Sequence, residues 1–470
     1  MRYKYIEIGI LLAFGIALGA CKKELNVFPG NANVDGDVIT DQETAQRVLT
    51  GVYYRFANGS FDDLDNISTK WTDIFEDVPS QMVGTIYDPE NAYAMSTFHF
   101  SPSYDVIDSL WMYGFNLVNA ANGFIKNASP VSNIPTGVKQ QMLAEATFLR
   151  AFGNAELLFY FAQYRDPSSQ YGIILRDKFV TATTLNLPRS DVAAAYTSIL
   201  ADLDIAIDGL PSSNSAIYFA NVWDARLLKA RVLINRGSAG DYEQVADLTK
   251  DIIANSPYTL EDSVKDIFRT KGYSSREVMM AIKPYPGENY KWTNFYCQAT
   301  DSLFSLITDD ARNQWLYTKD DNPYSPYIKI TKYAPIGPRY PVTPPLSVNC
   351  YAFRLTEAYL LEAEAIALSG ADPGVAKTLL KTVMSHAGAG ATELAAVDNA
   401  TTPEALQLEI VKENMRNFIY ENGVDWLALR RLPFATIQQL NPNIKDINRL
   451  ILPIPSAELK FNNVIQNPGY

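Results

Sequence analysis

Cysteine and histidine are scarce in this chain, which has 3 Cys and 2 His among 470 residues. Apart from Cys21, the cysteines are Cys297 and Cys350, so no disulfide framework carries a fold of this size. We interpret these two as buried free thiols, although they could pair if the protein is exported. Neither His99 nor His386 stands in a motif with a Ser or Cys nucleophile. Zinc-protease spacing and a Gly-rich phosphate loop are also absent from the sequence, which therefore offers no sign of nucleophilic, zinc or nucleotide chemistry.

Basic residues are fewer than acidic ones, with 40 Lys and Arg against 52 Asp and Glu, which gives a formal net charge of -12. This balance argues against a nucleic-acid partner, because such binding depends on neutralising phosphates with basic side chains. Outside the N-terminus, no apolar run in the sequence is long enough to cross a bilayer. Any membrane attachment must therefore come from the N-terminal segment.

The N-terminus has the pattern of a lipoprotein export signal. Arg2 and Lys4 precede an apolar stretch that is too short to span a membrane, and Leu18-Gly19-Ala20-Cys21 closes it. This pattern predicts that residues 1–20 are removed as a signal peptide and that Cys21 carries the lipid. Residues 21–40 lack a helical period and are interpreted as a lipidated tether, so the lipid is the only predicted anchor.

Helical periodicity dominates most of the remaining chain. Apolar residues recur at helical spacing, and they predict helices from about Gln42 to Asn58, from Val106 to Asn127 and over 136–164. Ser190-Asp191 caps a further helix that ends before Pro211. The chain is longer than one core usually supports, so we expect two lobes or a stacked architecture.

Two segments read as helix pairs of tetratricopeptide length. A helix beginning near Trp223 stops at Gly237 to Gly240, and a second runs on to Ile253; Leu355 to His386 repeats this plan around Gly370-Ala371-Asp372-Pro373. Stacked pairs of this kind bury a core between neighbours and leave a long surface for a protein partner. An ordinary helical core is the alternative that periodicity alone leaves open.

Two regions lack the helical pattern, about 78–104 and 257–349. Both are rich in Pro, Gly, Tyr and short β-favouring runs, and function is expected in such loops. The second region is denser in aromatic residues than the packing of irregular segments requires: Tyr285, Tyr290, Trp292, Phe295, Tyr296, Trp315, Tyr317, Tyr324, Tyr327, Tyr333 and Tyr340.

Five motifs, in order along the chain, resemble those of one known family. They are Trp111-Met112-Tyr113 with Asn119-Ala120-Ala121-Asn122, Ala144-Glu145-Ala146-Thr147-Phe148-Leu149-Arg150-Ala151-Phe152, Asp202-Leu203 with Leu210-Pro211, the run from Arg354 to Ala365, and the tail Leu452-Pro453-Ile454-Pro455 to Gln466-Asn467-Pro468-Gly469-Tyr470. Together they resemble the SusD/RagB family of Bacteroidetes outer-membrane nutrient-binding lipoproteins. The chain departs from the family pattern at Glu413-Asn414 and from Asp425 to Arg431, which suggests a divergent member.

The resemblance implies a mainly α, SusD-like fold. It implies a helical-repeat body of four tetratricopeptide-like units (about 41–77, 105–256 and 350–430) and an irregular ligand-binding lobe (about 78–104 and 257–349), together forming one domain over 41–470. Family members bind glycans, or in some cases peptides, and pass them without chemistry to a SusC-like TonB-dependent transporter. The implied location is the outer membrane, facing the cell exterior, although Lys22-Lys23-Glu24 leaves a periplasmic orientation open.

Sugar binding needs flat aromatic rings for the apolar face of a pyranose and polar side chains for its hydroxyls. The residues that we select on this basis are Tyr87, Asn91, Tyr93, Glu288, Tyr290, Trp292 and Tyr296. Trp71, Trp111, Trp223 and Trp426 lie in helical patterns and are predicted to be core residues instead.

The alternatives to glycan binding are a peptide binder with the same transporter partner, a surface glycoside hydrolase and a lid without a ligand of its own. A hydrolase would need a pair of carboxylates. The candidates are Asp62, Asp63, Asp65, Asp73, Glu76 and Asp77, but in so acidic a chain they are better explained as a solvated face. Asp62 to Asn66 lacks the glycine and distal glutamate of a calcium loop, so calcium is only weakly indicated and no cofactor is expected. Asp309-Asp310-Ala311-Arg312 resembles a family Asp/Arg motif, which we interpret as a local ion pair rather than a catalytic group.

Overall fold

A computed structural model describes residues 38–58, 71, 75, 78–86, 96–283, 298–307, 310–320, 327–333 and 349–470. The helices are α1 (Gln42–Ala57), α2 (Val78–Val83), α3 (Asp105–Ala128), α4 (Thr136–Phe161), α5 (Val192–Gly209), α6 (Val222–Arg236), α7 (Asp241–Asn255), α8 (Val264–Asp266), α9 (Asp301–Phe304), α10 (Leu355–Ser369), α11 (Pro373–Ala387), α12 (Ala391–Asn399), α13 (Pro403–Phe418), α14 (Val424–Leu429), α15 (Phe434–Leu440) and α16 (Ser456–Phe461). The strands are β1 (Thr85–Ile86), β2 (Val278–Ile282), β3 (Gln298–Ala299), β4 (Tyr317–Asp320), β5 (Tyr327–Ile330) and β6 (Cys350–Arg354).

The helix starts are set by local capping. The carboxylate of Asp41 accepts a hydrogen bond from the Thr44 backbone N–H at 2.8 Å, and the Thr44 hydroxyl oxygen accepts one from the Asp41 N–H, which closes a capping box at the start of α1. Asp191 caps α5 in the same manner through the Ala194 N–H. The four helices predicted before Pro211 are confirmed as α1, α3, α4 and α5, within a few residues at each end.

Both predicted helix pairs are present. Helix α6 ends at Gly237, whose φ is 62°, and α7 starts after Gly240, whose φ is 83°. Helix α10 ends at Gly370 with φ of 78°, and Asp372 caps α11, which begins with Pro373. Glycine adopts this left-handed conformation without a steric penalty, so each pair can reverse direction within a few residues.

Helices α3 to α7, α10 and α11 form one continuous stack, although residues 256–354 separate α7 from α10 in the sequence. Helices α3 to α7 pack in succession, and α7 then packs directly against α10, which packs against α11. Because α7 ends at Asn255 and α10 begins at Leu355, the segment between them is an insertion between two touching helices. The mainly α architecture with a short-strand region agrees with the predicted fold class.

Helices α3 and α4 approach each other closely within this stack. A Cβ atom on Gly114 would lie 2.5 Å from Cγ of Leu157, and one on Gly153 would lie 2.9 Å from a methyl carbon of Val118. Glycine at these two positions therefore allows the two longest helices of the described chain to pack closely.

Aromatic rings fill the core where α1, α3 and α4 meet. The Trp71 ring lies 5.2 Å from Phe56 and 4.2 Å from Phe75, measured between centroids. The four tryptophans that were predicted to be core residues, Trp71, Trp111, Trp223 and Trp426, are all buried, which confirms that prediction. Among the described residues, no helix is both long and apolar enough to cross a membrane.

Candidate ligand-binding site

The strands form two small antiparallel sheets, one ordered β1-β3-β5-β4 and one pairing β2 with β6. In the first sheet, Ile86 at the end of β1 pairs with Gln298 at the start of β3, and Gln298 pairs in turn with Lys329 in β5. In the second sheet, Ile282 at the end of β2 pairs with Cys350 at the start of β6. The register therefore places the ends of several strands side by side.

These strand ends flank the segments that carry the predicted ligand-binding residues. Segment 87–95 follows Ile86, segment 284–297 connects the end of β2 to Gln298, and segment 334–348 leads to the start of β6. The predicted residues Tyr87, Asn91, Tyr93, Glu288, Tyr290, Trp292 and Tyr296 all lie outside the described residues, as do Cys21 and Cys297. What the structure brings together is the chain on either side of them, so their role stays a prediction.

One part of the aromatic-rich region belongs to the core. Trp315, Tyr317 and Tyr333 are buried, and the Phe268 ring lies 6.1 Å from the Trp315 ring and 5.4 Å from the Tyr333 ring. The expectation that aromatic density in 257–349 exceeds the needs of packing is therefore wrong for these three residues. The three rings lie in the same buried cluster as aliphatic side chains such as Ile282, Leu303 and Leu316, so they serve as ordinary core residues.

A buried ionic cluster holds the strand ends against the helical body. Arg354, the last residue of β6, donates to Glu277 at 2.6 Å and to Glu421 at 2.5 Å. Lys332, two residues after β5, donates to Glu421 at 2.7 Å and to the carbonyls of Asn417 and Ile419. The cluster thus joins β5, β6 and the segment between α13 and α14.

The electrostatics of this cluster favour the charged forms of its members. Burial alone would raise the pKa of Glu421, but the charges of Arg354 and Lys332 hold that pKa below its ordinary value. Burial lowers the pKa of Lys332 to about 8, against the opposing effect of Glu421, so its ammonium group is still mostly protonated at pH 7. Charged hydrogen bonds of this kind are strong and directional, which suits the positioning of loops.

A second buried cluster lies nearby and contains the predicted ion pair. The Arg312 guanidinium donates to Asp310 at 2.5 and 2.8 Å, which confirms the pair, and also to both carboxylate oxygens of Glu413 at 2.8 and 3.0 Å. Glu413 is followed by Asn414, where the chain departs from the Glu-Arg pair of the family pattern. Its partner lies 101 residues away, so sequence spacing had no means to reveal the contact.

The sequence signal for these clusters is a charged residue within an apolar run. Arg354 ends the fully buried strand β6, and Lys332 lies beside the buried Tyr333. Buried charges are paired or they are very costly. A charge at such a position therefore predicts a partner, although not which partner.

The carboxylates considered for hydrolysis or calcium binding lie outside the described residues. They are Asp62, Asp63, Asp65, Asp73, Glu76 and Asp77. Within the described ranges, no group of three or more His, Cys, Asp or Glu side chains is arranged to hold a metal ion. The charges near the strand ends named above are engaged by internal partners. The described geometry therefore suits the support of a binding surface.

Residues 345–470 match the SusD family. A SusD-like protein of Bacteroides ovatus is 23% identical over 249 residues, which cover 51% of this chain and 43% of that relative. The match thus spans less than half of the relative's length.

Solved structures extend the likeness over nearly the whole fold. NanU from B. fragilis superposes with a TM-score of 0.74 at 17% identity and covers 94% of this chain and 100% of its own. A laminarin-binding SusD-like protein superposes with a TM-score of 0.71 at 19% identity, over 92% of this chain and 100% of its own.

The chain therefore has the SusD-like fold, and its C-terminal part matches the SusD family. In this SusD-like chain, the matched segment begins just before β6 and contains α10, α13, α14 and the C-terminal tail. It therefore includes Arg354, Glu413 and Glu421, which connect the helical body to the strand ends.

Proposed function

We propose that this SusD-like protein is a non-catalytic glycan-binding lipoprotein. It would capture oligosaccharides at the outer surface of the outer membrane and deliver them to a SusC-like TonB-dependent transporter. The match of residues 345–470 to the SusD family supports the proposal, and so do the names of structural neighbours such as the laminarin-binding SusD-like protein and surface glycan-binding protein A from Bacteroides fluxus.

The observation that carries the proposal is the strand register. Pairing of Ile86 with Gln298 means that the segment carrying Tyr87, Asn91 and Tyr93 starts beside the point where the segment carrying Trp292 ends. Two aromatic-bearing segments with adjacent attachment points can contribute to one platform. Such a platform binds the apolar face of a sugar ring while amide and carboxylate groups bind its hydroxyls.

The two buried ionic clusters explain how the chain on either side of these segments could be held for binding. Loop ordering costs free energy each time a ligand binds, and preorganisation reduces that cost. Here Arg354 and Lys332 tie two of the flanking strands to the same carboxylate, Glu421. The bases of the loops are thereby positioned before any ligand arrives.

The binding test uses the chain from Lys22 to Tyr470, which contains every described residue. Glycan-array and peptide-library screens would be followed by calorimetry on Trp292→Ala and on Phe461→Ala. The second variant removes an aromatic ring that is 72% exposed at the end of α16, so it is a matched control for losing a surface ring.

We expect glycan binding that Trp292→Ala weakens about tenfold or more, because loss of one stacking ring removes on the order of 1.5 kcal/mol. Phe461→Ala should bind as the parent does. Binding of peptides alone would favour the peptide-binding alternative. Turnover of a bound glycan would reveal a hydrolase, and folded protein without any ligand would leave a lid role.

Attachment and delivery need separate tests. Radiolabelled fatty acid should enter the wild-type protein but not a Cys21→Ser variant, because the thiol is the predicted lipidation site. Protease added to intact cells should remove the protein, whereas full protection would place it in the periplasm. A tagged chain purified from its native outer membrane should bring a TonB-dependent transporter with it, and purification without one would contradict the delivery role.

A further inference from the structure

A cavity of about 610 Å³ lies on the helical body, away from the strand ends. The cavity is lined by the loop after α4, by the segment around α15 and by the last turn of α10, which contributes Leu368. Arg354, which belongs to the buried ionic cluster at the strand ends, precedes Leu368 by 14 residues, and these residues form helix α10. At a rise of about 1.5 Å per residue, roughly 20 Å separates the two places.

The walls of the cavity are largely apolar. They are formed by the side chains of Tyr164, Leu432, Phe434, Ile437, Ile447 and Leu450. Ile437 is buried, whereas Ile447 stands at the mouth with 56% of its surface exposed. A volume of this size with apolar walls and few polar groups is typical of sites for small organic ligands.

The floor of the cavity contains a buried cation that lacks a bonded carboxylate. Arg430 is only 3% exposed, and its guanidinium lies 4.8 Å from each of the ring centroids of Tyr164 and Trp426. Its Nη1 donates to the carbonyls of Phe159 and Leu450 at 2.7 and 3.0 Å. Within the described chain, its Nε and Nη2 and the Tyr164 hydroxyl are buried without a hydrogen-bond partner.

The neighbouring Arg431 has the carboxylate partner that Arg430 lacks among the described residues. Arg431 donates to both carboxylate oxygens of Glu364 at 2.8 and 2.6 Å. The buried carboxyl of Glu156 does interact electrostatically with Arg430, but burial raises the pKa of Glu156 to about 7, so it is only partly ionised at neutral pH. Arg165 and Asp166, which also line the cavity, are exposed and carry opposite charges. The cavity therefore has a positive floor without a full counter-charge.

We infer that this cavity binds a small amphipathic acid, with an apolar body against Ile437, Ile447 and Leu450 and a carboxylate toward Arg430. The unpartnered nitrogens are buried, so the attraction acts mainly through space. An uncompensated charge in surroundings of low dielectric constant is screened far less than one in water. The inference does not depend on glycan binding, because the two places share no residue.

The test compares 4-phenylbutyrate with its neutral amide, 4-phenylbutyramide, on the chain from Lys22 to Tyr470. The two probes have nearly the same shape and differ in charge, so the ratio of their Kd values isolates the effect of the positive floor. We expect the acid to bind about tenfold more tightly than the amide, as measured by ligand-observed NMR and calorimetry.

Two exposed isoleucines provide matched variants that leave the core intact. Ile447→Asp places a negative charge at the mouth and should weaken binding of the acid at least tenfold, while Ile205→Asp changes an isoleucine that is 54% exposed on α5 and should have no effect. Arg430→Gln should abolish the preference for the acid over the amide, provided that its circular dichroism matches the parent. Its folding state does not decide the test, because the Ile447 comparison stands alone.

Equal affinity for acid and amide would overturn the inference, since it would remove the role of Arg430. Absence of binding by either probe to the folded parent would overturn it as well. Binding that Ile447→Asp and Ile205→Asp affect alike would place the ligand elsewhere and have the same consequence.

Discussion

Replacement of Glu421 by glutamine should destabilise the protein more than almost any other isosteric change. The Glu421 side chain is fully buried and accepts hydrogen bonds from Arg354 at 2.5 and 3.0 Å and from Lys332 at 2.7 Å. Glutamine has almost the same shape but is neutral. Glu421→Gln therefore leaves two buried cations facing an amide.

The magnitude follows from the partners that remain. Removing one partner of a buried ion pair costs about 3–5 kcal/mol, because the other charge stays buried. Arg354 retains Glu277 at 2.6 Å, and Lys332 retains two backbone carbonyls. We therefore expect a loss near the lower limit, about 3 kcal/mol in the free energy of unfolding. The protein should still fold, because domains are typically stable by about 5–15 kcal/mol.

Urea unfolding at pH 7, followed by circular dichroism, measures this loss as a shift of the midpoint. Glu404→Gln is the matched control, because Glu404 is an exposed carboxylate in the first turn of α13 and its loss should cost less than about 0.5 kcal/mol. If Glu421→Gln lies within about 1 kcal/mol of that control, the cluster does not stabilise the junction between the strands and the helices.

A double-mutant cycle separates the pair from its surroundings. Lys332→Met should cost less in the Glu421→Gln background than in the parent, because the carboxylate that Lys332 needs is already gone. Strictly additive free energies would show that the two residues do not interact, despite the distance of 2.7 Å between Nζ and Oε2.

Two further predictions concern packing and pH. Gly114→Ala should destabilise the protein by about 1–3 kcal/mol, because the new Cβ would lie 2.5 Å from Cγ of Leu157. Gly51→Ala in α1 meets nothing within 4 Å and should stabilise the protein by about 0.5–1 kcal/mol. Thermal unfolding measures both variants, and equal shifts in their melting temperatures would contradict this prediction. Burial raises the pKa of Asp224 from 3.8 to about 8, so its neutral form stabilises the fold at low pH and this contribution is lost as pH rises from about 4 to 8, by about 1.4 kcal/mol per pH unit. Asp224→Asn should remove that part of the slope in urea unfolding at pH 5 to 8, and parallel curves for variant and parent would contradict the assignment.

Some of this architecture is readable from sequence because its causes are local. Asp41 and Asp191 cap their helices through hydrogen bonds to residues three positions away, and apolar spacing identifies the buried face of each helix. The glycines at 237 and 370 mark helix ends for the same reason, because a left-handed residue is required there. The helix pairs, the core tryptophans and the family resemblance all follow from signals of this range.

The candidate site was predictable only in part. Aromatic residues in irregular segments indicated the region, yet Trp315, Tyr317 and Tyr333 proved to be core residues. Composition does not distinguish a ring that packs inward from one that faces a ligand, because both uses favour the same side chains. The position of the strands decides between them, and strand register is a property of pairs distant in sequence.

By itself, the sequence determined the approximate bounds of α1, α3 to α7, α10 and α11, and it showed that the N-terminus resembles a lipoprotein signal. Only the tertiary structure decided that α7 packs directly on α10 and that Ile86 pairs with Gln298. It also decided that Glu421 pairs with two cations, whereas Arg430 has no bonded carboxylate among the described residues. The physical reason is range: capping and periodicity act over three or four residues, whereas charge pairing, sheet register and cavity formation depend on segments that folding brings together from across the chain.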